Sequence, residues 1–461
     1  TIDKFNLGCR FEKYFIGNNL TELQEMTSML NGSVHNYIEY AFDFASAGMY
    51  EEASQIMHIY MEGRTDVYPM AAYMLGYFAS RSGNEEVARQ WYQKAQSLSP
   101  DKCFPNRIDE INVLTDAMRM NPADYKAPYY LGNFWYAHRR YEEAISCWEK
   151  SVEINNQFPT ALRNLSLAYY NKRNKKEEAR QLLEKAFELD KTDSRIFMEL
   201  DQLYKKMGRA HVERLALLEE HLDLVEQRDD LCIERITLYN LLGDYEKAKD
   251  LISNRKFHPW EGGEGKVTGQ YILCRVELAK KAIKENRYSE AVALLKETEF
   301  YPHNLGEGKL SNAEENEVDY YKGIAYQKLG NDAESTKYLM KATQGSTEPQ
   351  QAFYYNDQQP DKIFYQGLAW RALGEENKAR SRFNKLIDHG KKHLFDDCKI
   401  DYFAVSLPEL AIWEDNLNIR NQIHCYYVMA LGYSGLGKEE LAEEYYEKVK
   451  RLDVNKQVFR M

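Results

Sequence analysis

The sequence predicts an all-α fold, a solenoid of about ten helix pairs that repeat along the chain. Three observations support this prediction. Small and aromatic residues recur at helical spacing in units of similar length along most of the chain. Proline is scarce, with 11 residues among 461, so that few helices are interrupted. The composition is 44% hydrophobic and 29% charged, which suits amphipathic helices packed around a continuous core.

One repeat unit is clearest between residues 73 and 100. Gly83 ends a first helical stretch, and a second stretch follows in which Ala88 and Tyr92 share a face. Small side chains let two helices approach closely, so Gly76 and Ala88 are expected at the contact between the helices, with Tyr92 filling the space beside them. The unit is therefore predicted to be a helix, a turn and a second helix that packs back on the first.

This pattern resembles the tetratricopeptide motif. Corresponding residues recur as Ala144-Trp148, Ala179-Leu183-Ala186, Ala379-Phe383 and Ala442-Tyr446, with weaker copies at Gly48-Glu51-Glu52-Ala53-Met57 and Gly243-Tyr245-Ala248-Ile252. The resemblance covers about residues 35–455 and implies a right-handed α-solenoid of tetratricopeptide-like hairpins with a concave binding surface.

The spacing of equivalent alanines predicts how the chain is organised. Ala53 to Ala88 and Ala144 to Ala179 are both 35 residues apart, close to the roughly 34 of the motif. Ala88 to Ala144 is 56 residues, which leaves room for an extra helix from about residue 108 to 120. We expect a linker or N-terminal capping segment at 1–34, regular repeats at 35–255, and repeats with longer loops at 256–461.

Charge and composition exclude several function classes. The net charge is -11 and no run of Lys and Arg follows a phosphate backbone, so nucleic acid is not an expected partner. No apolar stretch approaches the roughly 18 residues of a membrane span. Seven cysteines without a CxxC pair indicate neither a disulfide framework nor a zinc site, and they favour a cytoplasmic setting. The first residue is Thr1 rather than Met, which leaves open a segment or domain before it.

Two longer loops in the second half are related to each other. Ala248 to Ala291 is 43 residues, and the extra length falls between one helix pair and the next. Pro259, Glu264 and Lys266 recur at the same interval as Pro302, Glu307 and Lys309. Because loops of stacked repeats lie roughly 10 Å apart, we expect these two to meet at one edge. The candidate ligand-binding residues are His258, Trp260, Glu261, Glu264, Lys266, His303, Asn304, Glu307 and Lys309.

Two interpretations of these loops remain open together. In one, the glycines permit tight turns while Glu and Lys pair with each other or cap a neighbouring helix. In the other, the aromatic and polar side chains form a ligand site. A metal held by His258, Glu261, Glu264 and His303 is disfavoured, and so is a P-loop, because Val267 follows Lys266. Catalysis by Glu264 and Glu307 is disfavoured since equivalent exposed positions give no reason for their pKa values to differ.

Two further insertions follow the related loops. Residues 343–361 are polar and carry Tyr354-Tyr355-Asn356-Asp357, and residues 391–421 carry Tyr402-Phe403, Pro408 and Trp413-Glu414-Asp415. The segment Pro259-Trp260-Glu261-Gly262-Gly263-Glu264-Gly265-Lys266, with its second copy, resembles the C-terminal repeat region of large bacterial proteins. Their N-terminal half looks like a galactose-mutarotase-type β-sandwich. That resemblance implies a carbohydrate-associated domain in the natural protein and transfers no catalytic residue.

The sequence thus predicts a scaffold that is not an enzyme and that uses no cofactor or metal. Its expected partner is a protein or peptide in the concave groove, or a domain of its own that precedes residue 1. The alternative is a carbohydrate-recognition part of a glycan-processing protein, with the loops between residues 256 and 310 as the sugar site.

Overall fold

The computed structural model describes residues 3, 5–17, 19–260, 262–311, 313–352, 359–399 and 412–457. In these residues the regular secondary structure is helical, without β-strands. The chain forms two compact units, unit 1 at Thr1–Asp190 and unit 2 at Lys191–Met461. The change from short to long loops near residue 256 falls inside unit 2.

The helices of unit 1 are α1 (Leu7–Gly17), α2 (Leu20–Met29), α3 (Val34–Ser46), α4 (Tyr50–Met61), α5 (Pro69–Arg81), α6 (Glu85–Ser97), α7 (Asp109–Met120), α8 (Lys126–Ala137), α9 (Tyr141–Ile154), α10 (Pro159–Arg173) and α11 (Lys176–Leu189). The pairs α3–α4, α5–α6, α8–α9 and α10–α11 each pack along their length. The extra helix that the alanine spacing predicts is α7, so this prediction is confirmed.

The helices of unit 2 are α12 (Ser194–Lys206), α13 (His211–Glu220), α14 (Leu222–Val225), α15 (Asp229–Leu241), α16 (Tyr245–Asn254), α17 (Lys266–Lys284), α18 (Tyr288–Lys296), α19 (Asn316–Lys328), α20 (Asp332–Ala342), α21 (Pro360–Ala372), α22 (Glu376–His393), α23 (Leu417–Gly435) and α24 (Glu439–Leu452). Short 3-10 turns occupy Glu297–Glu299 and His303–Leu305. From α3 onward the described helices form ten pairs, as predicted.

The contact inside each pair follows the predicted logic. A Cβ built on Gly76 of α5 would lie 2.5 Å from the ring of Tyr92 on α6, and one on Gly132 of α8 would lie 2.4 Å from the indole of Trp148 on α9. Tyr92 is fully buried and Trp148 almost so. Only a residue without a side chain admits the aromatic ring at this distance, so glycine and the aromatic residue are matched across these two hairpins.

Acidic residues begin several of the second helices, where the positive end of the helix dipole favours a carboxylate. Glu51, Glu142 and Glu177 stand in the first turns of α4, α9 and α11. Within residues 1–34, where the sequence predicts a linker or cap, the structure has the pair α1–α2. Phe11 of α1 is fully buried and contacts the ring of Phe44, 6.4 Å away between centroids. This contact adds α1 to the core of unit 1.

Long connections in unit 2 lie between pairs, where the sequence places them. We call residues 255–265, between α16 and α17, the first loop, and residues 300–315, before α19, the second loop. The first helices of these pairs form a continuous row in which α15, α17, α19, α21 and α23 contact one another in turn. We call the surface of this row, with α12 at its start, the first-helix face of unit 2. The predicted features at Glu261, Tyr354-Tyr355-Asn356-Asp357, Tyr402-Phe403 and Pro408 lie outside the described residues.

Candidate functional site

The first and second loops lie side by side. The backbone N–H of Phe257 donates a 2.7 Å hydrogen bond to the carbonyl of Asn304. The side-chain amide of Asn304 donates to the carbonyls of Ile252 and Arg255, at 2.9 and 2.8 Å. Gly306 has a φ of 76°, and a Cβ there would lie 2.8 Å from the carbonyl oxygen of Phe257. Asn304 therefore fastens the second loop to the end of α16, where helix carbonyls lack partners within the helix.

Glu307 of the second loop caps the helix that follows the first loop. Gly265 is the N-cap residue of α17 and has no side chain to cap it. The backbone N–H of Gly265 donates to both carboxylate oxygens of Glu307, at 3.1 and 3.2 Å, and the Thr268 hydroxyl donates at 3.2 Å. The Glu307 carboxylate thus accepts a hydrogen bond from a backbone N–H that has no partner within the helix, and its negative charge faces the positive end of the helix dipole. Capping of a neighbouring helix is thus confirmed for Glu307.

Lys309 also uses its charged group inside the protein. Its Nζ donates to the carbonyl of Thr298 at 2.8 Å and forms an ion pair with Glu315. The same Nζ lies 5.5 Å from the ring centroid of Tyr301. Burial raises the pKa of Glu315, although Lys309 opposes this effect. Lys309 thus stabilises the second loop, and its ion-pair partner is Glu315 rather than the nearby Glu307.

Two aromatic candidates of the first loop remain accessible. The His258 side chain is 70% exposed, and its Nδ1 lies 3.0 Å from the carboxylate of Asp229. Burial would raise the pKa of Asp229, but its contacts with Arg255 and His258 outweigh that effect and lower it. Trp260 is half-buried and covers Gly263, where a Cβ would lie 2.2 Å from the indole. The first loop therefore carries an exposed histidine and a partly exposed tryptophan.

The remaining candidates divide by exposure. Glu264 is half-buried, and it makes no hydrogen bond or ion pair with any described residue. Lys266 and His303 are exposed. Burial by the surrounding protein lowers the pKa of Lys266, and the positive charge of Lys205 lowers it further. Part of the Lys266 side chain is nevertheless open to solvent. Glu261 lies outside the described residues. The two loops thus meet as predicted, but Asn304 and Glu307 serve mainly to hold them together, and Lys309 stabilises the second loop.

A buried charge network on the first-helix face of unit 2 was not predicted. Arg214 of α13 has no exposed surface and donates to Asp201 at 2.7 and 3.0 Å and to Glu234 at 2.7 Å. Lys205 Nζ lies 2.9 Å from both oxygens of Glu234. Burial would raise the pKa of Glu234, but Lys205 and Arg214 lower it. Two cations therefore neutralise two carboxylates that solvent barely reaches. In the sequence, this unit departs from the repeat pattern: five residues after Gly208, at the distance that separates Ala88 from Gly83, stands Glu213 instead of a small residue.

Unit 1 carries a pair of side-chain amides on successive first helices. Asn164 of α10 donates through Nδ2 to Oδ1 of Asn133 on α8, at 3.0 Å. Trp148 Nε1 donates to the same oxygen at 3.2 Å, and Arg163 donates to Oδ1 of Asn164 at 3.0 Å. Both asparagines are half-buried. The Asn133 side chain also forms a hydrogen bond with Tyr129, which opposes the rise that burial causes in the pKa of that tyrosine. The sequence did not predict this pair, because each asparagine by itself is an ordinary polar residue on a helix.

A cavity of 700 Å³ lies in unit 2 beside α22. Its lining includes Lys385, His389, Lys392 and His393. The His389 ring lies 6.0 Å from that of buried His424 on α23. Burial lowers the pKa of His389 to about 4 and, with Lys456 nearby, that of His424 to about 3. Both imidazoles are therefore neutral at physiological pH, and their Nε2 atoms have no hydrogen-bond partner among the described residues.

Over residues 3–457, outside the gaps given above, no three His, Cys, Asp or Glu side chains are placed to hold one metal ion. In the same residues no helix is long and apolar enough to cross a membrane. The seven cysteines are free thiols, and five of them are buried. Burial raises the pKa of Cys425 to about 12, as expected of a thiol that fills apolar space.

Comparison with known proteins agrees with the repeat geometry. Two tetratricopeptide-repeat family models match, one at residues 71–102 and 423–455 and the other at 160–189. Among solved structures, YrrB, described as a tetratricopeptide-repeat protein with an unusual peptide-binding site, is 15% identical. The match covers 50% of this chain and 89% of YrrB, with a TM-score of 0.28.

Two further solved structures are similar at the same level. The tetratricopeptide-repeat domain of P58(IPK) is 12% identical over 97% of this chain and 96% of that domain, with a TM-score of 0.28. PilF of Pseudomonas aeruginosa is 18% identical over 47% of this chain and 87% of its own, with a TM-score of 0.27. At these scores the likeness carries no inference about ligands. The matched segments and the hairpin contacts together show that this chain contains tetratricopeptide repeats in both of its units.

Proposed function

We propose that this chain is a non-catalytic scaffold that binds non-helical segments of partner proteins on the first helices of its repeats. The observation that carries the proposal is the amide pair Asn133 and Asn164 on successive first helices of unit 1. A polypeptide backbone offers both N–H and C=O groups, and a side-chain amide can pair with both. Both asparagines are half-buried, so part of the pair stays accessible to the backbone of a bound segment.

The surroundings of this pair suit recognition rather than turnover. Asn133 is held by the indole of Trp148, which is itself almost fully buried, so the amide is fixed before a ligand arrives. A fixed hydrogen-bonding group loses little conformational entropy when it binds. Arg163 beside Asn164 adds a positive charge to the same surface. The partner is a protein in trans or another domain of a longer natural chain, as the bacterial resemblance implies.

The test is a display screen of random peptides followed by measured affinities. Peptides enriched on the unaltered chain are titrated by fluorescence anisotropy against an Asn133→Ala/Asn164→Ala variant. Each lost hydrogen bond is worth about 0.5–1.5 kcal/mol, so the double variant should bind about tenfold or more weakly. The matched control is Asn84→Ala, an exposed N-cap residue without a side-chain capping bond. Equal affinity of both variants, or failure to enrich any peptide, would contradict the proposal.

Carbohydrate recognition by the loops is a second proposal, supported by half-buried Trp260 with exposed His258 and His303 around the two joined loops. Sugars stack on exposed aromatic faces and bond to nearby polar groups. The test is a glycan microarray with the unaltered chain and with Trp260→Ala. Glu264→Ala is a suitable second variant because Glu264 has no described partner, whereas Glu307→Ala would remove a helix cap. Binding that survives both substitutions would exclude this loop site.

A further inference from the structure

The non-helical segment Asp453–Gln457, which follows α24, lies on the first-helix face of unit 2. The Asn455 side chain donates through Nδ2 to the carbonyl of Lys205 in the last turn of α12, at 3.0 Å. Its Oδ1 accepts from Nη1 of buried Arg214 at 3.1 Å. Asn455 thus uses its donor and its acceptor together, on groups more than two hundred residues earlier in the chain.

The last residue of the segment makes a second reciprocal contact. Nε2 of Gln457 donates to Oε1 of Gln270 on α17 at 3.2 Å, and Nε2 of Gln270 donates back to Oε1 of Gln457 at the same distance. Gln270 is oriented by buried Asn240, whose Nδ2 donates to the same Gln270 oxygen at 2.8 Å. A pair of amides in this arrangement selects for an amide, because a carboxylate or an ammonium group could match only half of it.

Lys456 enters a third position on the same face. Its Nζ lies 5.3 Å from the ring centroid of Tyr427 on α23, and Tyr427 is almost fully buried. Burial lowers the pKa of Lys456, while Asp361 of α21 and Asp453 oppose this change and Arg420 adds to it. An aromatic ring with a carboxylate nearby is a site that suits a cation. The face therefore offers separate positions for Asn455, Lys456 and Gln457.

The exposure of the segment is the reverse of what simple packing would produce. Val454 is its one apolar residue and is 44% exposed, whereas Asn455, Lys456 and Gln457 are half-buried against the helices. A segment held by the hydrophobic effect would turn its apolar residue inward and its lysine outward. The side-chain hydrogen bonds of Asn455 and Gln457 to the helices are largely offset by the conformational entropy that five ordered residues lose. The helices therefore contact the segment through specific polar groups, while the net free energy that keeps the segment bound is small.

We infer that the first-helix face of unit 2 is a binding site for a non-helical peptide of the form Asn-Lys-Gln, and that Asp453–Gln457 is its resident occupant. This inference rests on the proposed binding role and extends it to unit 2. A partner segment with an amide, a lysine and an amide in succession competes with the resident segment for Lys205, Arg214, Gln270 and Tyr427. The fold of unit 2 does not depend on the occupant alone, because buried Trp413 donates independently to the carbonyl of Glu199 on α12 at 3.1 Å.

The experiment uses the full chain and a labelled synthetic peptide with the sequence of residues 451–457. Binding is measured by fluorescence anisotropy to the unaltered protein and to an Asn455→Ala/Lys456→Ala/Gln457→Ala variant. The variant should bind the peptide at least tenfold more tightly, because the resident segment no longer competes at high local concentration. A scrambled peptide should bind neither protein. Gln270→Ala, added to the triple variant, should remove most of the gain.

Three results would overturn the inference. One is a folded triple variant, judged by its thermal transition, that does not bind the peptide. Another is equal binding by the unaltered and the triple-variant protein, and the third is equal binding of the scrambled peptide. The single variant Gln457→Ala repeats the test should the triple variant unfold. None of these results bears on the Asn133 and Asn164 site of unit 1, whose variants are tested separately.

Discussion

Replacing Glu307 with alanine tests whether the duplicated loops support the helices. Gly265 caps α17 without a side chain, and both oxygens of Glu307 accept its N–H. Losing a cap of this kind typically costs about 1 kcal/mol, and losing the negative charge at the helix N-terminus costs about 0.3–1 kcal/mol more. We expect the first turn of α17 to be destabilised by about 1–2 kcal/mol. Since 1.4 kcal/mol is a factor of ten, its amides should exchange with solvent about 5–30 times faster.

Hydrogen–deuterium exchange of the peptide that spans Gly265 to Gly269 measures this effect locally, without assuming that the two units unfold together. The matched control is Glu264→Ala, because Glu264 occupies the equivalent place in the first loop and makes no described hydrogen bond. It should leave the exchange of α17 within about twofold of the unaltered protein. Equal acceleration by the two substitutions, or none by Glu307→Ala, would refute the capping role.

Three further predictions follow from the packing and the charges. Arg214→Met should destabilise unit 2 by about 3–5 kcal/mol in urea, because it leaves buried Asp201 and half-buried Glu234 without their shared partner. A loss below about 1 kcal/mol would contradict this. Gly132→Ala should cost about 1–3 kcal/mol by pushing on Trp148, whereas Gly269→Ala, which meets nothing within 4 Å, should stabilise by up to about 1 kcal/mol. His424 is 7% exposed, and its pKa is lowered to about 3. Below pH 6.5 the unfolded chain therefore binds a proton at this residue that the folded chain does not bind. The free energy of unfolding thus decreases as the pH falls toward 3. His424→Gln should recover about 2 kcal/mol of this loss at pH 4.5 in denaturation curves, and no difference from the unaltered protein would contradict it.

The hairpin fold was predictable because its signals are local. Gly76 with Tyr92, and Gly132 with Trp148, stand at the same separation in two hairpins, and a packed helix pair requires that match of size. The long interval from Ala88 to Ala144 predicted α7, and the duplicated loops predicted a shared edge. The candidate site was predictable only in position. Glu307 caps α17, and Asn304 bonds to backbone carbonyls at the end of α16. Both contacts depend on which backbone atoms the second loop reaches, and the spacing of residues in the sequence does not give that information.

By itself the sequence determined that the chain is all-α, that it is built from repeated helix pairs, and where long loops interrupt them. These properties follow from periodicity, because each repeat contacts mainly its neighbours. Only the tertiary structure decided which polar groups meet. Arg214 finds Glu234 on the next first helix, and Asn455 finds Lys205 from the far end of unit 2. These residues do not recur at the repeat interval, so the sequence pattern cannot pair them. The packing of the helices in unit 2 brings them together from distant parts of the chain.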